Sequence, residues 1–247
     1  MKIVTTCCLL FLSLLSVGQA DFNRIEEEIV KTYTILKEAY RAGEPERQVI
    51  FAKKMQQQLL FALLQRGSYY YPFAKLGWYI NIVESADQQI RVFSWDALQG
   101  GAWRRMVSMV QFRGAQNETY VHVLSDGNEE ELDNYAAVCI EQVHVLEELD
   151  KRYYVLIGRG QQGEGQQHQT IQVVSLGHNA LEKCTTCFER NQENWVLKSS
   201  LDNPIQVHYN QSSRKLTYAL TVFNETTGRD IQQKVRMIWR NGRFFTW

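Results

Sequence analysis

Two hydrophobic periodicities divide this chain into a helical first part and a longer, strand-rich second part. Between residues 22 and 66, apolar side chains recur at three- and four-residue steps, which is the spacing of one face of an α-helix. Gly43 and Pro45 interrupt the pattern. Glycine favours the end of a helix and proline favours the first turn of one, so a first helix should end at Gly43 and a second should begin at Pro45. The short connection predicts an antiparallel helical hairpin over residues 21–67.

The first helix, predicted over residues 22–42, combines an apolar face with a charged first turn. Its apolar positions are Phe22, Ile25, Ile29, Tyr33, Leu36 and Tyr40. Asn23 and Glu26 have the spacing of a capping box, in which two side chains satisfy free backbone N–H groups. The apolar face of the hairpin can pack on the following part of the chain or bind a partner helix. We favour the first, because an apolar face normally meets the protein's own core.

From residue 78 onward, short segments rich in Val, Ile, Tyr, Phe and Trp alternate with polar or glycine-containing turns. Strands are predicted at residues 78–83, 89–95, 103–112, 119–124, 136–146, 152–157, 170–176, 195–198, 205–209, 215–223, 235–240 and 243–246. No helix-length segment separates them, which argues against a parallel sheet. The predicted fold class is therefore α+β, with the hairpin followed by a long antiparallel β meander over residues 68–247. Whether it closes as a barrel, folds as a sandwich or resembles propeller blades stays open.

The connections between these strands include one short turn with a specific sequence signal and two longer polar segments. Asn241-Gly242 predicts a hairpin with a type I′ turn, because both residues tolerate positive φ. Residues 125–134 and 158–169 are polar and rich in Glu, Gly or Gln. We expect both to be mobile surface loops.

The stretch over residues 87–103, DQQIRVFSWDALQGGAW, concentrates two Trp, one Phe, one Arg and two Asp. Its strand has apolar residues on both faces, which predicts an interior position. In one interpretation this stretch is a core hairpin that turns at its two glycines. In the other, Trp95 and Trp103 form an aromatic platform beside Arg91 and Asp96, and these four residues bind a sugar or an aromatic ligand.

The start of the chain is typical of a secretory signal peptide over residues 1–20. Lys2 precedes an apolar run at 7–17, and small residues end at Ala20, where we place cleavage. The run is too short for a stable membrane span, and no later stretch predicts one. A lipoprotein is the alternative, although both early cysteines precede most of the run rather than follow it. We therefore expect an exported protein, periplasmic or extracellular.

Charge and composition exclude some functions. The chain has 27 basic and 27 acidic residues among 247, without a basic stripe, so nucleic acid is not an expected partner. Hydrophobic residues make up 45% of the chain, enough for a substantial core and against disorder.

Three cysteines follow the signal peptide, namely Cys139, Cys184 and Cys187. An odd number leaves at least one thiol unpaired in a monomer. In an oxidising compartment the C-x-x-C pair predicts a local disulfide between Cys184 and Cys187. A redox site would need the pair to open a helix, and a zinc site would need further ligands such as His178.

Motifs for catalysis or cofactor binding are missing from the sequence. It contains no G-x-S-x-G, no H-E-x-x-H and no P-loop, so we predict no catalytic residue, no metal and no cofactor. Asp87 and Asp96 could act as a glycosidase pair, but an extended strand between them spans roughly 30 Å, too far for joint catalysis.

Four short motifs lie in the middle of the chain, namely YPF at residues 71–73, S-x-D at 85–87, RVFSWD at 91–96 and YYVLIG at 153–158. In this order they resemble motifs of a group of uncharacterised exported bacterial proteins. The resemblance covers about residues 70–175. It implies export but no activity, since the group has none assigned, and it identifies no catalytic residue.

We expect an exported, non-enzymatic protein with a structural or binding role in the cell envelope. Its partner would be a small molecule, a glycan or an envelope protein. The alternative is a secreted or periplasmic hydrolase whose site is assembled from the β domain, which would require two acid or His side chains to converge in one cleft.

Overall fold

The computed structural model describes residues 21–101, 103–114, 118–148, 151–189, 191–224 and 228–247. A helical hairpin is followed by three antiparallel sheets, which confirms the α+β fold class. The predicted signal peptide, residues 1–20, lies outside the described residues. In the part of the chain that is described, no helix is long and apolar enough to cross a membrane.

The hairpin consists of α1 (Phe22–Arg41) and α2 (Pro45–Leu64). The side chain of Asp21 accepts a hydrogen bond from the backbone N–H of Arg24, at 3.2 Å, and so caps α1. The predicted capping box of Asn23 and Glu26 is wrong, because α1 begins at Phe22, two residues earlier than an N-cap at Asn23 requires.

Glu26 instead points into the protein, where it is only 1% exposed. Its carboxylate accepts hydrogen bonds from the backbone N–H of Leu76, at 2.8 Å, and from the hydroxyl of Tyr71, at 2.6 Å. Glu26 thereby fastens α1 to the connection between the helices and the first sheet.

The first sheet has the strand order β1-β2-β3-β4. Two 3₁₀ turns, Ser68–Tyr70 and Leu76–Trp78, lead into it. Its strands are β1 (Asn81–Glu84), β2 (Ile90–Asp96), β3 (Met106–Arg113) and β4 (Thr119–Ser125). The order follows the chain, as expected for a meander of hairpins.

The second sheet follows a short helix, α3 (Glu129–Asp133). Its strands are β5 (Cys139–Glu148), β6 (Lys151–Gln161), β7 (Gln166–Leu176), β8 (Leu181–Lys183) and β9 (Asn194–Ser200). β8 and β9 pair with different segments of the same edge of β7.

The predicted mobile loop at residues 158–169 is wrong for most of its length. β6 continues to Gln161 and β7 starts at Gln166, leaving a tight turn of four residues. Gln167, His168 and Gln169 are buried. Their polarity suggested a loop, but they are enclosed by segments distant in the sequence.

The third sheet comprises β10 (His208–Asn210), β11 (Lys215–Asn224), β12 (Arg229–Arg240) and β13 (Arg243–Thr246). Asn241 and Gly242 join the last two strands with φ of 50° and 77°. This agrees with the predicted type I′ turn, in which both central residues have positive φ.

Three hydrophobic clusters show how the layers stack. The first joins the helices to Phe93, Trp95, Val107 and Met109 of the first sheet, so the hairpin packs on the sheet as predicted. The second joins the opposite face of that sheet to the second sheet. The third joins the second sheet to the third. β2 is therefore covered on both faces, as its two apolar faces predicted.

Candidate functional site

A cleft of about 570 Å³ opens where β2 ends, between α1 and the loop that joins β2 to β3. It draws on α1, the second 3₁₀ turn, the first sheet and the ends of β5 and β6. Its lining residues are Tyr33, Gly77, Trp78, Tyr79, Ile80, Asn81, Ser94, Trp95, Asp96, Arg104, Met106, Cys139 and Gln161. Apolar, aromatic and charged groups thus meet in one depression.

An ion pair between Asp96 and Arg104 forms the charged part of the cleft. One oxygen of Asp96 accepts from Nη1 of Arg104, and the other accepts from the backbone N–H of Leu98, at 2.8 Å. Nε of Arg104 donates to Oε1 of Gln161, at 3.1 Å. The hydrogen bond that Arg104 donates to Asp96 raises the pKa of Arg104. Both charges are therefore held in fixed positions, Asp96 by the loop that follows β2 and Arg104 by the end of β6.

An aromatic rim borders this ion pair. Trp78, at the end of the second 3₁₀ turn, is 88% exposed, and Tyr79 beside it is 40% exposed. The ring of Tyr79 meets that of Tyr33 edge-on, with centroids 6.3 Å apart. Burial, reinforced by the negative charge of Asp96, raises the pKa of Tyr33 to about 12, so its hydroxyl stays protonated at neutral pH. The rim offers an exposed indole and the neutral hydroxyl group of Tyr33.

The cleft does not assemble groups for acid–base or nucleophilic catalysis. Among the described residues that line it, Asp96 is the one carboxylate, and no histidine is present. Burial raises the pKa of the Cys139 thiol, which disfavours the reactive thiolate. The hydroxyl of Ser94 accepts from the backbone N–H of Ile140, at 3.0 Å, and so joins the first two sheets. This arrangement is suited to binding.

Arg91 does not reach the cleft, contrary to its expected role in ligand binding. It is 5% exposed and lies on the face of β2 that the helices cover. Its guanidinium donates to the carbonyl oxygens of Ser68 and Tyr71 and to Oε1 of Gln111, at 2.7–2.9 Å. Arg91 therefore stabilises the junction between helices and sheet.

Trp95 and Trp103 do not form the expected exposed platform. Trp95 is 2% exposed and belongs to the cluster between helices and sheet, because the inward face of β2 is covered by the hairpin. Trp103 is 45% exposed and lies beside the turn between β6 and β7, where a Cβ at Gly163 would be 3.7 Å from its Nε1. Of the four residues expected to bind a ligand, Asp96 and Trp95 line the cleft, and the buried Trp95 forms part of its wall.

The two aspartates considered as a glycosidase pair lie at opposite ends of β2. Asp87 accepts hydrogen bonds from Arg152 and from the hydroxyl of Tyr154, both at 3.0 Å. Asp96 pairs with Arg104 instead. The two carboxylates therefore do not meet in one site.

The short motifs at residues 71–73, 85–87, 91–96 and 153–158 contact one another in the core. Arg91 binds the carbonyl of Tyr71, and the rings of Phe73 and Phe93 meet edge-on at 5.7 Å. Asp87, from the S-x-D motif, binds Tyr154 of the YYVLIG motif. Packing between layers is thus sufficient to account for these residues.

A disulfide joins Cys184 to Cys187, with their Cα atoms 5.6 Å apart. Cys187 is buried beside Phe188, and the segment follows β8 without opening a helix. Within the described residues, no group of three or more His, Cys, Asp or Glu side chains could hold a metal ion. The pair therefore acts as a local cross-link.

Sequence reasoning missed Trp78, Tyr79 and Arg104 as parts of the site. The sequence pattern predicts a strand from Trp78, whereas β1 begins at Asn81. The available signal was the Gly77-Trp78 pair, separated by three residues from the YPF motif, where a turn can expose a large ring. We find no protein family whose model matches the chain and no curated protein that is similar to it.

Proposed function

We propose that this protein is an exported, non-enzymatic binding protein of the cell envelope, and that the cleft at the end of β2 holds one sugar ring of a glycan. The observation that carries the proposal is the 88% exposed Trp78 beside the Asp96–Arg104 pair. A large apolar ring left in water next to fixed charges is typical of a binding site.

A sugar ring matches both the aromatic rim and the charged pair of this cleft. The apolar C–H face of a pyranose stacks on an indole, while hydroxyl groups at its rim exchange hydrogen bonds with charged and phenolic side chains. Asp96 can accept from a hydroxyl, and Arg104 can donate to one. Because loop and strand contacts hold both side chains, little conformational entropy is lost on binding.

Export is supported by the signal-peptide pattern at residues 1–20. Expression of the full chain in a bacterium, followed by fractionation and N-terminal sequencing, tests it. A mature protein beginning at Asp21 outside the cytoplasm is expected. Full-length chain retained in the cytoplasm would refute the export proposal.

Glycan binding is tested by screening the purified protein on a glycan array and measuring the strongest ligand by calorimetry. Trp78→Ala should weaken binding roughly tenfold or more. Trp247→Ala is the matched control, because Trp247 is 76% exposed but belongs to the third sheet's end. Equal affinities for the wild type and Trp78→Ala would refute this site.

The non-enzymatic part of the proposal requires a second measurement. Incubation of each bound glycan with the protein should release no new reducing ends over a day. Steady release that a Trp78→Ala substitution slows would favour the hydrolase alternative.

A further inference from the structure

A second, separate pocket of about 390 Å³ lies on the second sheet, where β7 and β9 meet the segment that follows α3. It shares no lining residue with the Trp78 cleft. Its lining residues are Tyr135, Gln162, Gln166, Gln167, His168, Lys198, Ser199 and Ser200. Every one carries a polar group, and none carries a carboxylate.

One positive charge lies at this pocket. Nζ of Lys198 is 4.2 Å from the centre of the Tyr135 ring and donates to its hydroxyl. In the described structure no carboxylate forms a salt bridge with Lys198, which is exposed. Within the described residues this ammonium group has an aromatic neighbour but no carboxylate counter-ion, so it can pair with an anion.

The floor of the pocket contains a buried side chain without hydrogen-bond partners. His168 is directly opposite Lys198 in the pairing of β7 with β9, so both side chains lie on the same face of the sheet. His168 is 3% exposed, and neither ring nitrogen has a hydrogen-bond partner within the described residues. Buried polar atoms are normally satisfied, and a ligand is one way to satisfy them.

Two glutamine side chains supply further acceptors. Nε2 of Gln167 donates to the carbonyl of Ser200, at 3.0 Å, and Nε2 of Gln162 donates to that of Leu132. These bonds fix the orientation of both amides. Their Oε1 atoms accept no hydrogen bond from the described residues and suit the hydroxyl donors of a polyol.

We propose that this pocket binds a sugar acid, a hexuronate or the uronate residue of a glycan. Its carboxylate pairs with Lys198, and its hydroxyl groups bind the glutamine amides and Ser199. A single ammonium group matches the single negative charge of a carboxylate, whereas a sugar phosphate would bring a second, unbalanced charge. The inference adds a second, charge-selective site and does not depend on sugar binding at Trp78.

The test is calorimetric titration of the full chain with glucuronate, glucose and glucose 6-phosphate at low salt. Glucuronate should bind roughly tenfold more tightly than glucose. Lys198→Gln should abolish this preference. Lys183→Gln, on the adjacent β8, is the matched control and should retain it. Thermal unfolding of each variant verifies that the fold is intact.

A preference for glucuronate that persists in Lys198→Gln would overturn the proposal, as would equal binding of glucuronate and glucose to the wild type. Tighter binding of glucose 6-phosphate would refute the carboxylate assignment. Trp78→Ala separates the two sites. If it removes the glucuronate preference, the acid binds in the first cleft and the second site is refuted, whereas a retained preference supports it even if the first cleft binds no glycan.

Discussion

The imidazole of His168 packs directly on the Cα of Gly160, its opposite neighbour in the pairing of β6 with β7. A Cβ at residue 160 would lie 2.3 Å from Cε1 of His168 and 2.8 Å from the carbonyl oxygen of Ala137. The glycine thus makes room for the buried ring and for the chain segment that crosses the sheet.

Gly160→Ala should destabilise the protein by about 1–3 kcal/mol, because the added methyl overpacks the sheet against backbone as well as side chain. Urea unfolding measures the change. Gly77→Ala is the control, since a Cβ there would be 4.0 Å from the nearest side-chain atom, Cδ1 of Ile82. Equal stability of Gly160→Ala and the wild type would show that the strands shift apart freely.

Stability should fall as the pH is lowered from about 6.5 to about 4. Burial, aided by the charge of Lys198, lowers the pKa of His168 to about 4 in the folded state, against about 6.5 in the unfolded chain. Between these values the unfolded chain binds a proton that the folded chain does not, so acid favours unfolding. The contribution lost is about 3 kcal/mol, at about 1.4 kcal/mol per pKa unit.

His168→Phe isolates this contribution, because burial also lowers the pKa values of His122 and His144 and both histidines remain in the variant. Urea midpoints of the variant should depend less steeply on pH between 4 and 6.5. At pH 7 the variant should be as stable as the wild type or more so, since two unpaired buried nitrogens are removed. If the urea midpoints of His168→Phe and the wild type change in parallel with pH, His168 is not the source of the pH dependence.

Truncation of Trp95 should lower the stability of the protein far more than truncation of Trp78. Trp95→Ala removes a 2% exposed side chain from the helix–sheet cluster and should cost about 3–5 kcal/mol of stability. Trp78→Ala should change stability by less than about 0.5 kcal/mol, because the ring is mostly in water. Chemical denaturation of both variants makes the comparison, and a large loss for Trp78→Ala would argue for a structural role there.

Replacing Arg91 with methionine should cost about 2–4 kcal/mol. The substitution preserves much of the apolar stem but leaves two buried carbonyl groups and the Gln111 amide without their donor. Arg41→Met, on the exposed end of α1, is the matched control and should be nearly neutral. Equal losses of stability in Arg91→Met and Arg41→Met would indicate that the buried guanidinium contributes little to stability.

A chain that begins at Asp21 should contain one titratable thiol when unfolded without reductant and three after reduction. The one is Cys139, because Cys184 and Cys187 are joined. A thiol assay in guanidinium measures both values. Three thiols without reductant would show that the cross-link is absent from the purified protein.

Local pattern alone was sufficient for the helical hairpin, most strands and the last turn. Helical periodicity placed α1 within a residue of its end, and Asn241-Gly242 favoured its turn because few other pairs adopt two positive φ angles at low cost. The two apolar faces of β2 indicated an interior strand, since a strand with one solvated face alternates. These features depend on neighbours in the sequence.

Tertiary structure decided the stacking of three sheets, the identity of the cleft and the burial of polar side chains. The apolar faces of β2 predicted an interior strand, but the sequence did not show that the helices are what covers Arg91 and Trp95. Trp78 looked like part of a strand, yet a 3₁₀ turn exposes it. The polar residues at the start of β7 resembled a loop, yet Gly160 and the segment before β5 enclose them. Each outcome depends on contacts between residues far apart in the chain, and spacing along the sequence carries no information about them.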